Sequence, residues 1–205
     1  MREKNIIFIA RALSMLFNPF YLPVVGLIAL FLFSYLSFLP WQSKLFTLIL
    51  VYLFTIMLPT MLIRMYHKYQ GWGDMEKNTK ERRMIPYVIS ILCYFCCFYV
   101  LSYFHTPHFI GSILVASLMI QLTCAIINLW WKISTHSAAI GGVTGAVMAF
   151  AEIFNFNPTW WICLILILAG MVGTSRMILR QHSLTQVVAG YLVGLVCAFI
   201  AVLFL

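Results

Sequence analysis

Lys132 and His136 lie in the run Lys132-Ile133-Ser134-Thr135-His136, and Arg176 and His182 in Ser175-Arg176-x5-His182-x3-Gln186. Both runs interrupt sequence that is otherwise almost continuously apolar. At membrane depth a charged side chain costs about 3 kcal/mol or more unless it has a partner or a task. Two imidazoles, a guanidinium and an ammonium at the ends of hydrophobic helices read as a site for an anionic group. The cations offset its charge, and the imidazoles attack or move a proton.

The two runs resemble the second and third signature motifs, P-S-G-H and S-R-x5-H-x3-D, of the type 2 phosphatidic acid phosphatase superfamily. The resemblance covers roughly residues 77–194 and implies phosphate-ester cleavage on a membrane-embedded lipid, without a metal or other cofactor. It implies His182 as the nucleophile that becomes a phosphohistidine and His136 as the acid for the departing alkoxide. Arg176 and the Ser134 hydroxyl would hold phosphate oxygens, and Ser175 fills the remaining signature position. Phosphatidic acid, phosphatidylglycerol phosphate, a polyprenyl diphosphate and a lipid A phosphate all present the same group, and the residues do not choose among them.

Two departures stand out. The family's first motif, K-x6-R-P, is degenerate in Lys77-Asn78-Thr79-Lys80-Glu81-Arg82-Arg83-Met84-Ile85-Pro86. Lys80 and Arg83 share a face if this segment is helical, and are favoured as phosphate ligands over Lys77 and Arg82; Lys132 is a further candidate. Gln186 stands where the family has Asp. A neutral amide still orients the His182 ring but stabilises a developing imidazolium less than a carboxylate does. Asp74 or Glu81 would be the source of a replacement carboxylate.

The elements that must position these residues follow from composition. The 205-residue chain is 63% hydrophobic and 9% charged, with mean hydropathy +0.99; soluble domains carry roughly 25% charged residues. The expected fold is an all-α polytopic transmembrane bundle of six to seven spans, forming one integral membrane domain. With about 20 apolar residues needed per crossing, spans are expected near Phe20–Leu39, Leu45–Met65, Pro86–Phe104, Phe109–Trp131, Ser137–Phe154, Trp160–Leu179 and Leu184–Leu205. The Ser137 segment is the weakest of these. Residues 1–17 carry Arg2, Lys4 and Arg11 among apolar residues and read as an interfacial helix, not a cleavable signal. Residues 66–85 form the one long polar loop.

Two helices separate each polar segment from the next, so the loop and both motif turns emerge on one membrane face. All thirteen Lys and Arg except Lys44 fall on that face, which by charge bias is the cytoplasmic side, of a bacterial inner membrane. Gly141, Gly142, Gly145, Gly190 and Gly194 read as close helix packing. The six cysteines lie in apolar runs and read as small hydrophobes. Gln121, Asn128 and Glu152 read as polar ties between helices. The partners implied are the bilayer and a lipid phosphate, with no nucleic acid. A lipid-phosphate-binding relative without turnover and a lipid phosphotransferase remain open beside the hydrolase. A transporter is disfavoured, because the polar residues gather at one face.

Overall fold

The computed structural model describes residues 2–33, 35–69 and 80–204, and among them every regular element is helical. In chain order these are α1 (Arg2–Leu16), α2 (Leu22–Phe33), a 3-10 turn (Tyr35–Phe38), α3 (Trp41–Tyr52), a π-helical turn (Leu53–Met57) and α4 (Leu58–Tyr69). Then come α5 (Lys80–Tyr103), α6 (His108–Trp130), α7 (Thr135–Phe154), α8 (Thr159–Ile178) and α9 (Leu184–Phe204). Pro40, Pro107 and Pro158 stand immediately before α3, α6 and α8, where a missing N–H costs nothing. Asn155, with φ 51°, closes α7 in the left-handed conformation. The π turn lies just ahead of Pro59, whose ring would clash in regular α-helix, so a widened turn relieves the strain.

Among the described residues six helices are long and apolar enough to cross a membrane: Trp41–Tyr69, Met84–Tyr103, His108–Trp130, Thr135–Phe154, Thr159–Ile178 and Leu184–Phe204. The chain is an integral membrane protein. Large apolar side chains such as Leu122, Ile126, Ile167 and Leu192 point outward, as a surface solvated by lipid requires. The expected Phe20–Leu39 span is not one helix: α2 has 12 residues and is followed by the short 3-10 turn. The chain nevertheless changes face there. Ser14 touches Arg176 at the motif end of α8, whereas Phe46 of α3 packs edge-on against Phe104, just past the far end of α5. The Ser137–Phe154 segment, the weakest by sequence, is a full helix and the most enclosed of the six.

That enclosure comes from α9. A Cβ added at Gly141 or Gly145 would lie 2.0 Å and 2.1 Å from the Tyr191 and Leu195 carbonyl oxygens. In return, a Cβ at Gly194 would lie 1.8 Å from the Ala138 carbonyl oxygen and one at Gly190 2.5 Å from that of Ser134. The two backbones therefore touch, a contact only glycine permits. All six cysteines are free; Cys93, Cys97 and Cys124 are buried, while Cys96 and Cys163 face outward instead of filling the core.

Candidate active site

The motif residues converge where α7 begins, α8 ends and α9 begins. Ser134 caps α7: its Oγ accepts from the Ser137 amide at 3.4 Å and pairs with Ser137 Oγ at 2.9 Å. The Ser134 amide donates to the Gln186 carbonyl at 3.3 Å, joining the two motif turns through backbone. At the end of α8 the Leu179 and Arg180 amides bond back to Ser175 and Met177. Arg180, left-handed at φ 52°, turns the chain so that His182 returns toward His136. Both histidines line one half-open cavity of about 850 Å³.

Gln186, one helical turn past His182, faces it: Gln186 Oε1 lies 3.2 Å from His182 Nδ1. The same oxygen accepts from the Ser183 amide at 3.1 Å. A backbone N–H is only a donor, so the atom facing it must be the amide oxygen, and His182 Nδ1 must carry the proton. Nε2 is left with a lone pair. Burial, and then the nearby Arg176 and Lys132 cations, hold His182 down at about 4, with the Gln186 bond acting in the opposite direction. At neutral pH the ring is uncharged and Nε2 is available.

His136, at the first turn of α7, has Arg176 and His182 as electrostatic neighbours. Its buried Nδ1 and the buried Nε of Arg176 have no hydrogen-bond partner among the described residues. The guanidinium is tied at its other end, where Nη1 donates to Ser14 Oγ at 2.6 Å, and the Ser14 backbone lies in hydrogen-bonding reach of the His136 ring. Helix α1 thus does not lie free at the interface. It lies along α8 with Ala10 and Ser14 buried and brings the Ser14 hydroxyl to Arg176. Sequence reasoning missed Ser14. The usable signal was the 3–4 spacing of Ile6, Ile9, Ala10 and Leu13, which marks one apolar face of the helix.

Arg176, His136, His182, Gln186 and Lys132 are brought together. The two serines differ from the expectation. Ser175 is buried and gives its only hydroxyl proton to the Val172 carbonyl at 2.7 Å, which leaves no donor for a phosphate oxygen. Ser134 is fully buried and engaged as the cap. Lys80, Arg82 and Arg83 form the first turn of α5, so Lys80 and Arg83 are helical as their pairing requires. Lys77 and Asp74 lie outside the described residues. Among the described residues no group of three His, Cys, Asp or Glu is arranged to hold a metal.

Two imidazoles, a guanidinium and an ammonium around one cavity mouth are a combination that many anion sites share. What decides the lineage is a family model, the PAP2 superfamily, that matches residues 90–205. The chain belongs to the PAP2 superfamily. The match takes in both motif turns and helices α6–α9 whole, with most of α5. No curated protein and no solved structure matches. Membership supports a phosphatase-type enzyme acting on lipid phosphates. Within the matched residues the Gln186 amide oxygen meets the His182 ring.

Proposed function

We propose that the chain is a metal-independent lipid phosphate phosphatase that works through a phosphohistidine. His182 Nε2 attacks phosphorus, the Nε2–P bond forms, and the P–O bond to the lipid breaks. Arg176 and Lys132 offset the charge on the phosphoryl oxygens. Lys80 and Arg83 are their candidate supplements, with Lys77 and Arg82 behind them. His136 gives its proton to the departing alkoxide; a phosphate dianion beside the ring favours that proton being there. Water then attacks the phosphohistidine, His136 takes up the water's proton, and inorganic phosphate leaves with His182 restored.

The observation that carries this reading is the double acceptance at Gln186 Oε1, from His182 Nδ1 and the Ser183 amide, because it leaves the nucleophilic lone pair on Nε2. The buried Arg176 Nε–H, without a partner among the described residues, adds a donor suited to an anion. The test is phosphate release from a panel of lipid phosphates by the purified protein with chelator present. His182→Ala is expected to abolish turnover. His136→Ala is expected to retain phosphate transfer from a substrate whose leaving group needs no proton. Near-normal rates in His182→Ala would overturn the assignment.

The neutral Gln186 also fits a relative that binds lipid phosphate without turnover, and the same assay separates the two. We further propose that the motif face is cytoplasmic. Arg2, Lys4, Arg11, Arg64 and Lys68 lie on it besides the site cations, against Lys44 opposite. Single cysteines at positions 68 and 105 of a cysteine-free variant, labelled with an impermeant maleimide in intact cells, test it. Labelling at 68 alone would reverse the orientation.

A further inference from the structure

One face of α6 lines the cavity at the 3–4 spacing of a helix: Ile113, Ser117, Ile120, Cys124 and Asn128. Lys132, His136 and His182 line the same cavity, and Asn128 is the polar end of the stripe that leads to them. Sequence alone reads Asn128 as a tie between helices. A tie needs a partner, and Asn128 makes no hydrogen bond among the described residues. Other polar side chains on the wall are spent locally. Ser90 donates to the Pro86 carbonyl, Ser117 donates to that of Ile113, and Asn18 Oδ1 accepts from the Phe20 amide. Asn128, only 6% exposed, keeps a carboxamide with two donor protons and an acceptor oxygen unspent.

Depth places it beside the histidines. Cys124 packs against Ile133 and Ala138, and Asn128 stands one turn of α6 nearer the motif face, about 6 Å. Helix α7 starts at Thr135, three residues before Ala138 and so about 4.5 Å in the same direction. Asn128 is therefore level with the turn that carries His136. An unpaired carboxamide inside a membrane protein costs free energy. Water meets it while the half-open cavity is empty, but a lipid phosphate seated at His182 displaces that water and has to supply the partner itself. Whatever its tail, the lipid presents a phosphoryl group at the level of the histidines, and phosphoryl oxygens are acceptors. The two Nδ2 protons suit them. Oδ1 is left for a donor, either the Lys132 ammonium on the same cavity or the hydroxyl of a monoprotonated phosphate.

We propose that Asn128 is a substrate ligand whose Nδ2 donates to a phosphoryl oxygen, a neutral member of the cradle to which Arg176 and Lys132 bring charge. The proposal rests on the lipid-phosphate reading of the His136–His182 site and adds to it a residue outside all three motifs. A bond to an oxygen that is charged both before and during transfer holds substrate and transition state alike. It acts on KM more than on kcat.

The test uses the full chain in phosphatidylcholine nanodiscs. It measures kcat and KM for a short-chain lipid phosphate and, by calorimetry, the binding of tungstate, a tetrahedral dianion that needs no turnover. Asn128→Leu removes the donors but keeps a branched side chain, whereas Asn128→Asp keeps the shape and sets an anion there. Asn128→Leu is expected to lower kcat/KM about tenfold, with the loss falling on KM, and to weaken tungstate binding by about the same factor. Asn128→Asp is expected to weaken both further, because a carboxylate repels the dianion. Parent-like KM and tungstate affinity in both variants overturn the contact. Equal losses in the two variants accompanied by a lower Tm mark a packing role and overturn it as well, as does a parent chain that binds no tungstate. Tungstate binding that depends on Asn128, with no phosphate released from any lipid, sustains the contact and refutes the phosphatase reading.

Discussion

Gln186→Glu isolates the residue that touches the proposed nucleophile and stands at the Asp position of the motif that the chain resembles. Glutamate has the length of glutamine and sets a carboxylate oxygen where Gln186 Oε1 now stands, 3.2 Å from His182 Nδ1. Aspartate, the family's residue, is one carbon shorter and falls short by about 1.5 Å unless the first turn of α9 moves. At 3.2 Å a unit charge stabilises imidazolium by about 1.3 kcal/mol at the dielectric of water and about 5 kcal/mol at an effective dielectric of 20. His182 is only half-buried, so solvent screening keeps the effect between these limits and toward the lower one. At about 1.36 kcal/mol per unit, the His182 pKa is expected to rise by about one to two units. From its present value of about 4 the ring would still be mostly neutral at pH 7. Activity at pH 7 is then maintained or raised, because the carboxylate stabilises the charge that develops on the ring during attack. The acid limb of the kcat/KM profile moves upward. Gln186→Leu removes the bonds to His182 and to the Ser183 amide, and is expected to cost about tenfold to a hundredfold. The assay is phosphate release from one short-chain lipid phosphate between pH 4 and 9 for the parent and both variants. The substrate's own ionisation is common to all three and cancels in the comparison. If both variants superimpose on the parent at every pH, Gln186 does not govern His182, and the tautomer argument fails.

Phosphate release is expected to persist in excess chelator; loss on chelation and recovery with magnesium would refute the metal-free mechanism. Arg176→Ala is expected to lower kcat/KM by at least about a hundredfold, and Ser14→Ala by no more than about tenfold, with no further effect in the double variant, because Ser14 acts through the 2.6 Å bond to Arg176. Additive losses would mean that Ser14 acts by another route. Gly194→Ala drives a methyl into the Ala138 carbonyl and is expected to cost about 1–3 kcal/mol, read as a fall in Tm in detergent, whereas Gly170→Ala, with nothing within 4 Å, is expected to be neutral or slightly stabilising. His182 is depressed to about 4 in the fold against about 6.5 unfolded, so the unfolded chain takes up the proton first as pH falls. Stability is expected to drop between about pH 6.5 and 4, and His182→Asn is expected to flatten that slope in a Tm-versus-pH series.

The membrane class, the common face of the motif turns and the glycine-mediated α7–α9 contact were all legible in the chain. Each depends on residue type and spacing alone: apolar run length, parity of crossings, and the four-residue repeats Gly141/Gly145 and Gly190/Gly194. The break after α2 was not legible. Hydropathy reports whether a stretch tolerates lipid, not whether it remains helical, and the run from Leu22 to Leu39 is apolar on both sides of the break. Ser14 was hidden for a related reason. A serine on a short amphipathic helix looks like any interfacial residue until the helix docks, and nothing local encodes its meeting with Arg176, 162 positions away. Ser134 shows the reverse. A serine just before a helix is a cap by its local chemistry, and the motif resemblance drew it toward phosphate instead.

The departures within the second motif become intelligible from the same contacts. Where the motif that the chain resembles has Pro and Gly, this chain has Ile133 and Thr135. Ile133 is buried against Cys124 and Ala138, so its side chain anchors the turn into the bundle where a proline would have stiffened it. Thr135 is the first residue of α7 and needs ordinary helical backbone, which imposes no demand for glycine. The position of His136 relative to His182 is instead held by backbone on backbone: the Ser134 amide on the Gln186 carbonyl and the Ser134 carbonyl on Gly190. A site whose separation is set by main-chain contacts tolerates side-chain change at 133 and 135. It does not tolerate a side chain at 190, where a Cβ would lie 2.5 Å from the Ser134 carbonyl oxygen and push the two histidine-bearing turns apart.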